Sequence, residues 1–187
     1  MSLFRPTVLL FAVSAWLAFP AQAQSLSKDS QSFTRQDSLR GSLRPERTGF
    51  DVTFYHLDLT VDPETRRIAG SNRAVFKATT ALKTLQFDLF ENMDLESVRD
   101  AAGRSLAFRR DGNAFFVDLA EPLQRGEMGE VTMAYAGEPI VAKRAPWDGG
   151  FTWSEDSLGK HWIGVSCEGI GASLWWPNKD HLSDEPD

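Results

Sequence analysis

The side chains best suited to chemistry crowd toward the end of the chain. Residues 165–187 hold Cys167, the only cysteine, then Glu168, the adjacent Trp175 and Trp176, and the polar set Asp180, His181, Asp184 and Glu185. A lone thiol becomes a nucleophile only with a histidine base beside it. Its neighbours Ser166 and Glu168 supply none, so Cys167 is expected as a small, half-buried strand residue. A hydrolytic zinc centre needs imidazoles and a carboxylate converging on the metal, with two histidines one helical turn apart as the usual signature. His56, His161 and His181 lie far apart, and no H-E-x-x-H or C-x-x-C occurs. A G-x-S-x-G elbow, a phosphate-binding loop and a dinucleotide fingerprint are also missing. No catalytic residue and no metal ligand is assigned. Asp184 and Glu185, before Pro186, are expected to form a turn, and Asp180, His181 and Asp184 would at most hold a stray cation. Adjacent tryptophans on an extended segment point to opposite sides, so one should pack inward and the other cover a neighbouring surface.

Those residues need a scaffold, and the 187-residue chain is long enough for one domain with a true core. Its 42% hydrophobic and 25% charged residues are globular in character. A net charge of −6 argues against nucleic acid as a partner. At the start, Arg5 precedes an uncharged apolar run, residues 8–19, and Ala21-Gln-Ala23 is a small-x-small cleavage site. Residues 1–23 are therefore expected to be a secretory signal peptide, and the protein exported to the periplasm or outside the cell. The run is short for a membrane span. No cysteine follows the cleavage site for a lipid anchor, so no membrane anchor is expected. Residues 24–49 are polar, with Leu26, Phe33 and Leu39 too sparse to anchor a helix, and are expected to be a flexible leader or surface-hugging arm.

From about residue 50 the pattern is that of strands. Tyr55, Leu57, Leu59 and Val61 alternate with polar residues, Asp62-Pro-Glu-Thr65 turns, and residues 68–78 return as the partner. Gly70 inside that partner marks a bulge or a close crossing. Leu85-Gln-Phe-Asp-Leu89 alternates strictly, Asp111-Gly112 signals a hairpin, and residues 131–135 alternate again. At least seven short strands before residue 137, without a three-turn amphipathic helix, predict an all-β antiparallel sandwich or bent double sheet. Phe151, Trp153 and Trp162, on two further facing segments, are expected in the core.

Phe54-Tyr-His-Leu-Asp-Leu-Thr-Val-Asp-Pro-Glu-Thr-Arg-Arg-Ile-Ala-Gly-Ser-Asn-Arg-Ala-Val-Phe-Lys77 resembles the opening hairpin of the zinc aminopeptidases related to aminopeptidase N and leukotriene hydrolase. Cys167-Glu-Gly-Ile, Trp175-Trp-Pro-Asn-Lys-Asp and Asp184-Glu-Pro186 resemble the close of that family's N-terminal β domain, in its secreted bacterial form. The resemblance implies that residues 50–187 are this β domain, incomplete at its C-terminal end. It implies a parent enzyme that uses zinc to remove N-terminal residues from peptides, with the zinc motif in a catalytic domain absent here. Glu168 falls where the family carries Gln or Glu to bind the substrate's free amino terminus. The other reading of Glu168 is a strand-end glutamate in water. By itself the chain is expected to bind no catalytic zinc and to be inactive, its partners being a peptide N-terminus and the missing catalytic domain. A rival reading is a non-catalytic β-sandwich module binding glycan or protein through exposed tryptophans. A third is a domain that needs its missing half, with an apolar patch exposed around Trp175 and Trp176.

Overall fold

Nine strands form among residues 32–186, which a computed structural model describes. The expected signal peptide and the first part of the expected leader lie outside the described residues. Strands β1 (Phe50–Asp62), β2 (Arg67–Ala78), β7 (Met128–Gly137) and β4 (Met93–Asp100) form one antiparallel sheet in that order. Strands β3 (Leu82–Asp88), β6 (Ala114–Leu123) and β5 (Phe108–Asp111) form a second. Strands β8 (Gly150–Glu155) and β9 (His161–Ser166) make a separate hairpin. The expected all-β class and the seven strands before residue 137 are what forms.

The two larger sheets share one core. Phe50 and Phe76 from the first meet Phe87 and Phe115 from the second, with the Phe50 and Phe87 ring centres 5.3 Å apart. The β1–β2 hairpin turns where expected, but its register shifts between Val52 and Phe54. Phe50 and Val52 are buried, Tyr55 and Leu59 pack at the margin of the core, and Leu57 and Val61 are exposed. A strand at the sheet edge has only part of its apolar face covered. Gly70 is a close crossing, not a bulge. It pairs with Leu59 in unbroken register, and a Cβ there would strike the Asp58 carbonyl oxygen.

Two departures from the sequence reading matter for the site. The second half of the expected leader is ordered as helices α1 (Arg35–Gly41) and α2 (Pro45–Thr48). Thr34 and Asp37 cap α1 reciprocally. Leu39 packs with Ala114 and Phe116 on the outer face of the second sheet, opposite the face that carries Phe115 and Val117. Gln86 and Asp88, the polar positions of the alternating β3 run, therefore lie buried beneath these helices. Buried polar groups need partners. Gln86 and Arg47 both donate to the Leu39 carbonyl at 2.9 Å, and Arg47 makes a two-pronged ion pair with Asp88 at 2.8 and 2.9 Å.

The second departure is Trp162, which is 56% exposed rather than in the core. Phe151 is buried and stacks on Trp153 along β8, at 5.3 Å between ring centres. Trp162 lies opposite Ser154, whereas Trp153 pairs with Ile163. Period two therefore puts Trp162 on the opposite face of the ribbon from Trp153.

Candidate functional site

Glu168 stands just past β9, at the head of a turn closed by the Gly171 N–H donating to the Cys167 carbonyl at 2.8 Å. The chain can turn there because Gly169 and Gly171 have φ of 73° and 91°, where L side chains are strained. A Cβ on Gly171 would also run into the Asp180 carboxylate. Glu168 itself is exposed, and none of the ion pairs among the described residues includes it. Cys167 is half-buried, as expected. Burial pushes its thiol up, opposed in part by the neighbouring Trp175 indole. A raised thiol is a poor nucleophile at neutral pH.

The segment after the turn is tied to both sheets by its backbone. Leu174 is fully buried in a short 3-10 turn, Ala172–Leu174, and Ser173 donates its hydroxyl to Asp180 at 2.6 Å. Trp175 meets Phe151 edge-on at 6.0 Å, and Trp176 meets Tyr55 edge-on at 5.0 Å. Both tryptophans are half-buried and packed against the core. Asn72 donates to the Pro177 carbonyl at 2.7 Å, and Asn178 bridges Asp88 through both backbone groups. The Asp180 N–H reaches the Asp88 carboxylate at 3.2 Å, and the Lys179 N–H reaches the Tyr55 hydroxyl at 3.0 Å.

Asp184 ends the expected turn, its N–H donating to the His181 carbonyl at 3.2 Å, but its side chain has a further partner. Its carboxylate is buried in an ion pair with Lys179 and accepts the Val52 N–H at 3.2 Å. Burial pushes the Lys179 ammonium down, and Asp184 opposes that shift. Glu185 is exposed. The three histidines stay apart. His56 is exposed on β1, His161 pairs with Glu64 at 3.1 Å, and His181 bonds Ser183 at 2.8 Å.

A groove of about 590 Å³ opens beside the Glu168 turn. Cys167, Gly169 and Gly171 line one side, Phe33, Asp37 and Arg40 another, and His181 and Leu182 contribute a third. The helical side of this groove was not legible in the residue pattern. Its one local sign is the Thr34-x-x-Asp37 spacing of a capping box.

No family model matches the sequence, and no curated sequence matches it significantly. Solved structures do match. A variant of a two-domain M1 zinc metallopeptidase bound to L-arginine aligns with 73% of this chain at 25% identity and a TM-score of 0.58. A variant of the M1 zinc metallopeptidase of Deinococcus radiodurans, bound to the substrate Tyr-Ser-Ala, aligns over the same share at 26% identity and 0.57. This chain has the fold of the N-terminal β domain of the M1 zinc metallopeptidases. The chain spans 30% of the length of both of those proteins. Native yeast LTA4 hydrolase aligns with 74% of this chain and 22% of its own at 18% identity and a TM-score of 0.60, which shows the shared fold.

Among the described residues of this M1-like β domain, no three histidine, cysteine or acidic side chains are grouped to hold an ion. The carboxylates nearest to such a role are committed elsewhere, Asp88 to Arg47 and Asp184 to Lys179.

Proposed function

We propose that the chain is the amine-recognising β domain of an exported zinc aminopeptidase. Glu168 would hold the free amino terminus of the peptide, and the adjoining groove would form a wall of the cleft. The observation that carries this reading is the placement of Glu168, exposed and without an ion-pair partner among the described residues, between groove-lining residues Cys167 and Gly169. The likeness to metallopeptidases solved with an amino acid and with a tripeptide supports it. Export rests on the pattern of residues 1–23 alone.

The chemistry suits the role. A peptide α-ammonium has a pKa of about 8, so it is mostly charged at neutral pH, and a carboxylate gives it a charge-assisted hydrogen bond. That contact marks where a peptide begins. Metal and water-activating base would come from a separate catalytic domain, the natural partner of this one.

Calorimetry with Tyr-Ser-Ala and its N-acetylated form tests the proposal on the purified chain. Wild type is expected to prefer the free amine by about tenfold, the worth of a charged hydrogen bond reduced by solvent at an exposed site. Glu168→Ala is expected to abolish the preference. Equal affinity for both peptides in wild type would overturn the reading.

A further inference from the structure

Helix α1 touches two separate turns. At its start Arg35 pairs with Asp111 at the end of β5, and Gln36 accepts the Asn113 N–H at 3.3 Å in the β5–β6 turn. Toward its end Arg40 directs both terminal nitrogens at the Gly169 carbonyl, each at 3.5 Å. Between them Leu39 is buried, and its carbonyl receives the two buried donors Arg47 and Gln86. Arg47 is in turn locked to Asp88, which also accepts the Asp180 N–H. The exposed Arg40 therefore directly follows a residue whose carbonyl is held by a buried polar cluster. The same cluster holds the chain that follows the Glu168 turn.

We propose that α1 is a strut forming one wall of the amine-binding groove, with Arg40 as a positioning residue that holds the Glu168 turn through the Gly169 carbonyl. This deepens the reading of Glu168 given above and rests on it for its functional consequence. Arg40 does not contact the peptide amine. It restricts the turn that presents the carboxylate, so less ordering is left to occur on binding. One long hydrogen-bonded contact at an exposed site sets a modest scale for the effect.

The test combines a structural readout with a binding readout on the purified chain. Amide exchange of Gly171, whose N–H closes the turn, is followed by NMR in wild type, Arg40→Ala, Arg40→Lys and Glu168→Ala. The preference for Tyr-Ser-Ala over its N-acetylated form is measured on the same proteins. Arg40→Ala is expected to quicken Gly171 exchange and lower the preference, each by about two- to tenfold, the net worth of one ordinary hydrogen bond. Arg40→Lys, which keeps a donor and the charge, is expected to restore most of both. Unchanged Gly171 exchange and unchanged preference in Arg40→Ala would overturn the strut. If Glu168→Ala keeps the preference while Arg40→Ala still quickens exchange, the strut stands and the assignment of Glu168 is what fails.

Discussion

The tyrosines show how the segment behind Glu168 is secured. Tyr55 accepts the Lys179 N–H and packs edge-on with Trp176, while Tyr135 is buried with no partner for its hydroxyl among the described residues. Burial pushes both phenols well above their usual 10, and the Lys179 N–H opposes this only in part for Tyr55. A group with a raised folded pKa contributes in full below pH 10. Above it, unfolded phenols release protons that the folded protein retains, so stability falls as pH rises. Lys179, pushed down by burial, acts in the opposite sense, but only below its ordinary 10.5, whereas the phenols act above 10. The chain is therefore expected to lose stability above pH 10, with phenolate absorbance rising only as circular dichroism reports unfolding. Phenolate titrating near pH 10 in a chain that stays folded would contradict this account of the two tyrosines.

Among the elements, the β1–β2 hairpin depends most on a single residue. Gly70 lets β2 cross the Asp58 carbonyl, and no side chain fits there without moving backbone. Gly70→Ala is expected to destabilise by about 1–3 kcal/mol, the usual cost of overpacking. Urea unfolding checks it, and a change within about 0.5 kcal/mol, the range of an inert surface substitution, would show that the hairpin yields at no cost. The strands were legible because period two survives wherever one face is buried, as in β7, where Val131, Met133 and Tyr135 are buried in turn. Legibility failed where burial came from elsewhere. β3 reads as a one-faced strand, yet α1 and α2 cover its polar face, and the Arg47 ion pair, together with the Asp180 N–H, makes the buried Asp88 tolerable. In a two-stranded ribbon such as β8–β9, an aromatic residue carries no mark of which face will be covered, and Trp162 is exposed while Trp153 packs on the core. Asp184 was legible as a turn residue, and only its buried ion pair with Lys179, chosen by the tertiary fold, was not.

Across the molecule, the sandwich anchors the segment that follows one short turn. Asp88 and Asn72 in the sheets receive residues 177–180, α1 reaches the turn from the other side, and Glu168 is left facing water beside the groove. The position of Glu168 was legible only through family resemblance, because an exposed glutamate after a strand has no distinguishing local pattern. The most direct measurement is an NMR titration of the isotope-labelled chain with Tyr-Ser-Ala and, in parallel, with its N-acetylated form. Amine recognition by Glu168 requires saturable shifts centred on residues 167–171 with the free peptide, absent with the acetylated one and absent in Glu168→Ala. Identical shifts with both peptides, or shifts centred away from that turn, would contradict it.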